Sequence, residues 1–152
     1  MISEIKANKQ YKIKVLIFLW RLSQYRRKGF FYSFLFLPIH LVYWVYSQIL
    51  LSIELPIDVQ AEAPLIIWHG SGLVVNPGVK FGKNVVLRSG VVIGNNGFDD
   101  RVPIIENNVS FGANSTVIGP VLISEESKIG PNSFVNFNVE KGRSVISTTI
   151  LK

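Results

Sequence analysis

The sequence contains no cysteine, one methionine and only two histidines in 152 residues. The absence of cysteine excludes disulfides, thiolate nucleophiles and cysteine-based metal sites, and it leaves the redox compartment undecided. No serine lies in a nucleophile-elbow pattern either. These absences disfavour covalent acyl-enzyme chemistry, and no metal site is expected. The N-terminus does not resemble a signal peptide, because Glu4 lies early and no small-residue cleavage site follows the first apolar run.

Acidic residues are missing from most of the first third of the chain. No Asp or Glu lies between Glu4 and Glu54, whereas this stretch holds eight Lys and Arg. Residues 57–152 carry eight basic and eight acidic residues, so the net charge of +6 belongs to the first third. The basic residues alternate with long apolar runs, which favours an anionic membrane surface over nucleic acid as a partner.

The first third is expected to be helical. Residues 11–28 place apolar side chains broadly on one helical face, namely Ile13, Leu16, Ile17, Trp20 and Leu22. The 24 residues from 30 to 53 carry no formal charge, and Pro38 suits the first turn of a helix over roughly 38–53. Three interpretations stay open: a membrane-spanning helix, a helical pair at the membrane surface, or helices packed against the remaining protein or another subunit. The positive-inside rule weighs against a span, because it would put residues 57–152 outside the cytoplasm.

A six-residue repeat runs through the rest of the chain. Fourteen positions spaced six apart form a ladder, and twelve of them are apolar. They are Ile57, Ala63, His69, Val75, Phe81, Leu87, Ile93, Asp99, Ile105, Phe111, Val117, Ile123, Ile129 and Val135. The fifth residue of each unit is small or β-branched, as in Val85, Val91, Val109, Ser115, Val121, Ser127, Ser133 and Val139. The fourth is often Gly or Asn, which accept left-handed backbone (Gly72, Gly78, Asn84, Gly90, Asn108, Asn114, Asn132).

A period of six excludes an amphipathic helix and exceeds the period of two within one strand. It fits a short strand followed by a tight corner, three per turn of a prism, with the first residue of each unit pointing inward. An ordinary β-sandwich does not predict so strict a period. The sequence therefore predicts a mainly β fold, a parallel β-helix of roughly five 18-residue coils over 54–152, preceded by a basic helical segment over 1–53.

The two polar positions of the ladder are candidate functional sites. Asp99 lies in the segment 94–104, and Ile93 and Ile105 are 12 residues apart, so one unit is expected to leave the prism as a loop. Such a loop is either functional or a neutral insertion. His69 either meets a carboxylate in the interior or turns outward at a corner, which Gly70 and Gly72 allow. His40 is expected to be structural or interfacial.

His69 is a structural residue or a general base on these grounds alone. A base needs one free ring nitrogen and an acceptor that orients the other. The candidate acids for this role are Glu54, Asp58, Glu62, Asp99 and Asp100. Because no covalent nucleophile is apparent, direct attack by a substrate hydroxyl on a bound acyl donor is the simpler scheme.

These residues resemble the serine O-acetyltransferase branch of the hexapeptide acyltransferases, and most of all the exopolysaccharide (colanic-acid-type) O-acetyltransferases. The family pattern of an acid, 14 residues and then His-Gly matches Glu54 through His69-Gly70-Ser71-Gly72-Leu73-Val74-Val75-Asn76 without a gap. Further blocks resemble Phe81–Asn84, Arg88–Asn95, Asp100–Ile105, Phe111–Asn114 and Ile129–Ser133. The resemblance covers nearly the whole chain.

The resemblance implies a left-handed β-helix, assembled as a homotrimer, that is an acetyl-CoA-dependent O-acetyltransferase. His69 would be the general base and Glu54 its orienting acid. Backbone N–H groups of Gly94 and Asn95 would stabilise the oxyanion. The pantetheine arm of acetyl-CoA would pass the loop and the turns at Gly112, Ala113 and Gly130.

Two departures from the family pattern affect the expected substrate and cofactor contacts. Val102 stands where serine acetyltransferases carry a second histidine, which favours a sugar hydroxyl over free serine. The sequence ends ISTTILK without the usual Gly-x-Pro-Ala segment, so Lys128, Lys141 or Arg143 would hold the nucleotide.

The expected function is acetylation of a sugar or lipid-linked glycan in an exopolysaccharide, capsule or O-antigen precursor. The expected location is the cytoplasmic face of the membrane, with contact through residues 11–53. The alternatives are a serine O-acetyltransferase and a non-enzymatic β-helical scaffold.

Overall fold

The computed structural model describes residues 1–146 of the chain. Four α-helices come first: α1 (Ile2–Ala7), α2 (Tyr11–Ser23), α3 (Phe30–Leu35) and α4 (Leu37–Trp44). A 3-10 helix spans Gln24–Lys28 and a π-helical turn spans Val45–Leu50. The strands that follow are β1 (Ile53–Glu54), β2 (Gln60–Ala61), β3 (Leu65–Trp68), β4 (Leu73–Val75), β5 (Lys80–Phe81), β6 (Val85–Arg88), β7 (Val92–Gly94), β8 (Ile104–Ile105), β9 (Ser110–Phe111), β10 (Thr116–Ile118), β11 (Leu122–Ile123), β12 (Lys128–Ile129), β13 (Phe134–Val135) and β14 (Ser144–Val145).

The strands form the three sides of a parallel β-helix. Sheet A has the order β1-β4-β7-β10-β13, sheet B the order β2-β5-β8-β11, and sheet C the order β3-β6-β9-β12-β14. Each strand pairs in parallel with the strand three places along the chain, except that β12 pairs with β14 because sheet B ends in an isolated bridge between Ile123 and Val139. The chain thus visits the sheets in turn and completes about five coils. The predicted mainly β solenoid is confirmed; residues 147–152 of the predicted 54–152 domain lie outside the described residues.

The six-residue ladder is confirmed from Val75 onward. Its apolar members point into the prism and are buried: Val75, Phe81, Leu87, Ile93, Ile105, Phe111, Val117, Ile123, Ile129 and Val135. The small or β-branched fifth positions are also buried, including Ser115, Ser127 and Ser133. The inward pair at each strand, two residues apart, therefore builds a continuous core whose burial stabilises the stack of coils.

The ladder is wrong in the first coil. Ile57 is only partly buried, and Ala63 and His69 are exposed. The buried side chains there are Ile53, Leu55, Val59, Leu65 and Ile67. Ile53 pairs with Leu73, a 20-residue coil, whereas Val74 pairs with Val92, an 18-residue coil. Two extra residues enter at the turn after β3, so a count back from Val75 misses every first-coil rung by two.

The corners adopt the left-handed backbone that the Asn and Gly positions predict. The φ angles of Asn84, Asn108, Asn114 and Asn132 lie between 55° and 59°. Gly72 and Gly90 have φ of 73° and 69°, whereas Gly78 has no positive φ. Asn tolerates this region better than other residues with a Cβ, which is why it can replace Gly at these turns.

Helix α1 covers the open end of the solenoid. The Leu65 N–H donates to Oε1 of Glu4 at 2.9 Å, and the Ile67 N–H donates to Oδ1 of Asn8 at 2.8 Å. Nδ2 of Asn8 donates to the Leu65 carbonyl at 2.9 Å. Two side chains, one helical turn apart, thus satisfy the free edge of β3 as a neighbouring strand would. Arg21 on α2 holds the Glu4 carboxylate with two hydrogen bonds of 2.8 Å.

Helix α2 belongs to the protein core. Ile13, Leu16, Ile17 and Trp20 are fully buried, as predicted for one apolar face, whereas Leu22 is only partly buried. The Trp20 indole donates to the Pro56 carbonyl at 3.0 Å, and the α4 residue Tyr43 donates its hydroxyl to the Leu55 carbonyl. The packing interpretation therefore holds for α2, whose apolar face is not free to contact lipid.

The expected helix over 38–53 is shorter. Pro38 does lie in the first turn, but helical structure ends at Leu50 and its last turn is a π-helix. Within residues 1–146, no helix combines the length and apolar character needed to cross a bilayer.

Candidate functional site

The turn after β3 forces the His69 ring out of the prism. His69 has a φ of 67°, and the next N–H, of Gly70, donates to the Trp68 carbonyl at 2.9 Å. A Cβ at Gly70 would lie 2.7 Å from Cδ1 of Ile53, so this glycine lets the turn pack on the core. The ring lies in a cavity of about 190 Å³ lined by Lys9, Gln10, Ile67 and Trp68. The outward orientation, one of the two open alternatives, is the one adopted.

Gln10 contacts the imidazole, and sequence reasoning missed it. Nε2 of Gln10 lies 2.8 Å from Nδ1 of His69 and 3.5 Å from its Nε2. The two residues are 59 positions apart, and Gln10 belongs to neither the repeat nor the family pattern. The position just before a helix does not normally favour Gln, and the Gln10 side chain makes no capping hydrogen bond. An unusual residue at the start of a helix was the one feature of the sequence that could have drawn attention to Gln10.

Most of the candidate orienting acids are engaged elsewhere. Asp58 pairs with Arg27 at 3.4 Å, and Glu62 pairs with Lys83 at 3.7 Å. Asp99 accepts a 3.0 Å hydrogen bond from Arg101, which lowers the pKa of the Asp99 carboxyl. Among the described residues, none of these acids bonds His69.

Glu54 lies close to the His69 turn in the fold without bonding the ring. It follows Ser52 and Ile53, and the Ser52 carbonyl accepts the Gly72 N–H at 2.8 Å. The Glu54 carboxylate is exposed on sheet A and, within the described residues, makes no hydrogen bond or ion pair. The structure does not join the predicted acid to the predicted base, and both roles stay predictions.

Glu54 shares a groove with two of the residues predicted to contact the acyl group. This groove, of about 470 Å³, runs across sheet A and is lined by Glu54, Val74, Asn76, Gly94 and Asn95, among others. The Asn95 N–H donates to no acceptor within residues 1–146. A free N–H at this point is suited to stabilise negative charge on a ligand oxygen.

The other predicted cofactor residues lie below His69 on one edge of the prism. We call the line of turns after β3, β6, β9 and β12 the His69 edge. Its turns are joined by hydrogen bonds from Gly90 N–H to Ser71, from Asn114 N–H to Ser89, and from Asn132 N–H to Ala113, at 2.9, 2.9 and 3.0 Å. At about 4.8 Å per coil, Ala113 lies roughly 10 Å and Gly130 roughly 14 Å from the His69 turn.

The His69 edge is built from small residues. They are Ser71, Gly72, Ser89, Gly90, Gly112, Ala113 and Gly130. The structure gives Gly112 a packing reason, since a Cβ there would lie 2.3 Å from the backbone nitrogen of Pro131 in the next coil. Small residues therefore predominate along this edge, although its turns also contain Asn114, Pro131 and Asn132.

The predicted loop over 94–104 does leave the prism. Ile93 pairs with Val117 on sheet A, and Ile105 pairs with Phe81 on sheet B, so the register on both sides is kept. The Asn96 side chain accepts the N–H groups of Phe98 and Asp99 at 3.0 and 3.2 Å. Val102 packs back against the core and lines a cleft of about 440 Å³ with Lys80 and Asp100.

The cationic candidates for a coenzyme nucleotide differ in availability. Lys141 pairs with Glu125 at 2.8 Å, and Arg143 pairs with Glu140 at 3.5 Å. Lys128 is exposed and has no ion pair among the described residues. Over residues 1–146, no three His, Asp or Glu side chains are grouped so as to hold a metal ion.

Comparison with known sequences identifies relatives that are named as acetyltransferases. No protein-family model matches the chain. It is 27% identical over 125 residues to WcaB of Escherichia coli K12, named as a colanic acid biosynthesis acetyltransferase, covering 82% of this chain and 77% of WcaB. It is 30% identical over 92 residues to the serine acetyltransferase of Mycobacterium tuberculosis, covering 59% of this chain and 40% of that enzyme.

Solved structures with the same fold are serine acetyltransferases. Isoform 3 from Entamoeba histolytica superposes with a TM-score of 0.75 at 23% identity, over 95% of this chain and 50% of that one. The soybean apoenzyme gives 0.76 at 24% identity, over 91% and 56%. The likeness confirms the predicted left-handed β-helix, and the chain spans about half the length of these neighbours. In sequence and in fold, the chain is therefore similar to hexapeptide-repeat acyltransferases of the serine acetyltransferase branch.

Proposed function

We propose that the chain is an acetyl-CoA-dependent O-acetyltransferase that acetylates a sugar hydroxyl of an exopolysaccharide, capsule or O-antigen precursor. The observation that carries the proposal is the exposed His69 ring at the head of an edge of small residues, in a fold and family of acetyltransferases. The turns at Gly112, Ala113 and Gly130 would hold the pantetheine arm, and Lys128 has the free charge for a phosphate. When bound, acetyl-CoA supplies the activated acetyl group.

Each residue of the proposed site has a defined task. His69 accepts the proton of the acceptor hydroxyl, which makes that oxygen a better nucleophile. The Asn95 N–H offers a hydrogen bond to charge that develops on the acyl oxygen, whereas the N–H of the neighbouring Gly94 belongs to the ladder between β7 and β10. Glu54, the predicted orienting acid, does not contact the ring; it contributes an exposed carboxylate to the groove on sheet A, where it would bind the acceptor.

The acceptor is proposed to be a sugar because Val102 replaces the histidine that the serine acetyltransferases carry. Coenzyme A release is measured with purified protein, acetyl-CoA, and nucleotide-linked sugars, lipid-linked sugars or free serine as acceptors. Turnover with at least one sugar and none with serine is expected. Turnover with serine alone establishes the alternative serine O-acetyltransferase, and failure to bind acetyl-CoA by calorimetry establishes the non-enzymatic scaffold.

A homotrimer is proposed because the His69 edge and the loop over 94–104 lie at opposite edges of sheet A. The outward strand positions of this sheet are Glu54, Val74, Val92, Gly94, Thr116, Ile118 and Phe134, so they carry one charge. Packing of three such faces around an axis buries apolar surface and brings the His69 edge of one copy against the loop of the next.

Ile118→Arg is expected to abolish the trimer, because it places a charge in the proposed buried face. Light scattering after size exclusion gives three times the chain mass for the unchanged protein and the monomer mass for the variant. The matched control is Leu122→Arg, the same change at an outward position of sheet B, which leaves the mass unchanged. Equal masses for the two variants exclude sheet A as the interface.

Peripheral membrane contact is proposed for the segment after α2. Phe30, Phe31 and Phe34 are 92%, 71% and 77% exposed, and Leu41, Val42, Val45 and Ile49 form an exposed stripe along α4 and the π-helical turn. We call these residues the apolar surface. Arg26, Arg27 and Lys28 precede it directly. Exposed apolar area of this extent with a basic margin fits an anionic bilayer surface, where the helices lie in the interface plane.

The absence of acidic residues between Glu4 and Glu54 favours lipid over a second copy of the chain as the occupant. A two-fold pairing of the apolar surface would bring two basic margins together, and in each margin only Arg27 has an acidic partner, Asp58, among the described residues. Acetyl-CoA is a cytoplasmic metabolite, so the proposed location is the inner face of the cytoplasmic membrane.

The protein is expected to sediment with phosphatidylglycerol-containing vesicles and less with pure phosphatidylcholine, and high salt should weaken binding. Phe34→Ser is expected to weaken partition about tenfold to a hundredfold, because burial of a Phe side chain contributes about 1.5–3 kcal/mol. Phe98→Ser, a similarly exposed Phe on the loop, is the control and leaves partition unchanged. If Phe34→Ser changes only the oligomeric mass, the surface binds protein instead.

A further inference from the structure

The residue that holds the His69 ring comes from the helical segment, on a rigid support. The backbone carbonyl of Gln10 accepts the N–H groups of Ile13 and Lys14 at 3.1 and 3.0 Å, so Gln10 is held by the first turn of α2. Asn8, two residues earlier, is bonded to the Leu65 carbonyl and the Ile67 N–H of β3, the strand that leads into the His69 turn. The hydrogen bonds between Asn8 and β3 therefore fix the position of Gln10 relative to His69.

We propose that Gln10 is the positioning residue of His69, which selects the tautomer of the imidazole and thereby the nitrogen that acts on the acceptor. This inference rests on the proposed function. Within residues 1–146, Gln10 is the one side chain that bonds the ring, whereas the predicted orienting acid, Glu54, does not reach it. The helical segment thus contributes directly to the site that the repeat alone was expected to supply.

The chemistry depends on which amide atom faces Nδ1. A neutral imidazole has one N–H and one lone pair. If the side-chain oxygen of Gln10, Oε1, faces Nδ1, it accepts the Nδ1 N–H and leaves the Nε2 lone pair of His69 free to take a proton. An amide NH₂ turned to Nδ1 uses that lone pair and leaves the proton on Nε2, where the ring cannot act as a base.

The Gln10 amide has a reason to turn. Its Nε2 is nearer the ring, and its Oε1 is buried without a hydrogen-bond partner. A half-turn of the amide exchanges two atoms of nearly equal size: the oxygen then accepts the Nδ1 N–H, and the NH₂ takes the buried place of Oε1. Imidazolium, formed when the ring takes the acceptor proton, carries hydrogen on both nitrogens, so it also requires the carbonyl at Nδ1.

The test uses the full-length protein labelled with ¹⁵N-histidine, whose two histidines are separated by assignment with His40→Asn. Nitrogen shifts and two-bond couplings report which ring nitrogen carries the proton without any need for turnover. His69 is expected to be protonated on Nδ1. Gln10→Leu shifts the proton towards Nε2 and lowers kcat roughly tenfold to a hundredfold, as loss of a ring-orienting partner does, with KM for acetyl-CoA unchanged.

Gln10→Glu is the discriminating variant, because an ionised carboxylate accepts and cannot donate. It is expected to keep the Nδ1 proton and to restore most of kcat. A Gln10→Leu protein with the unchanged tautomer and kcat overturns the inference, as does a Gln10→Glu protein that behaves like Gln10→Leu. The proposed function fails separately, if His69→Ala keeps full turnover or no acceptor is acetylated.

Discussion

Replacement of His69 by alanine is expected to lower acetyl-transfer turnover by roughly 10²–10⁴-fold, the usual contribution of a positioned general base. The His69 side chain is exposed and its turn is held by Gly70 and Gly72, so its removal leaves the core intact. The loss should appear in kcat, because the acyl donor is proposed to bind along the turns below. Steady-state kinetics with a sugar that is acetylated in the acceptor panel measure this loss, and circular dichroism checks the fold.

His40→Asn is the matched control for this loss. His40 lies on α4, where burial and the nearby Arg26 guanidinium lower the pKa of its imidazole, and it has no place in the proposed site. Its replacement should leave turnover within about twofold of the unchanged protein, well inside the His69 effect. Equal turnover in the two variants would falsify the assignment of His69 as the base.

Replacement of Glu4 by alanine is expected to destabilise the fold by about 3–5 kcal/mol, the usual cost of removing one partner of a buried ion pair. The Glu4 side chain is fully buried, and the change leaves the Leu65 N–H without its acceptor. The Arg21 guanidinium loses its carboxylate partner and keeps only the Ala61 carbonyl and the Gln24 side chain as acceptors. Because α1 also covers the edge of β3, the first coil should open first. Denaturant unfolding at fixed protein concentration gives the free energy.

Glu62→Ala is the matched control for Glu4→Ala. Glu62 pairs with Lys83 at 3.7 Å, and both side chains are about 60% exposed. Its removal should change stability by no more than ~0.5 kcal/mol, as is usual for a surface substitution. A Glu4→Ala protein as stable as Glu62→Ala shows that the edge of β3 needs no side-chain cap.

The repeat made most of the solenoid predictable, because a side chain that points inward every six residues leaves little choice of fold. The inward positions of the first coil were predicted wrongly. Its inward pairs, such as Leu65 and Ile67, follow the same spacing as later pairs but are displaced by two residues at the His69 turn. A count along the sequence cannot detect an insertion that preserves the apolar pattern on both sides.

The site was predictable where it belongs to a local pattern. His69 and the loop interrupt the repeat, and the family pattern links Glu54 to His69 at a fixed distance in sequence. Contacts between distant segments were not predictable. Gln10 reaches His69 across 59 residues because α1 is fastened to β3, and nothing in the residue types near Gln10 indicates that fastening.

The sequence by itself determined a six-residue β-helix, because periodic burial is a property of the chain's own spacing. It also showed that His69 is a candidate functional residue and that the first third is basic and apolar. Only the tertiary structure decided that α2 is core while α3 and α4 expose their apolar side chains, and that Gln10, rather than an acid, contacts His69. Those outcomes depend on which segments meet, and a buried edge such as that of β3 draws its partners from wherever the chain can supply them.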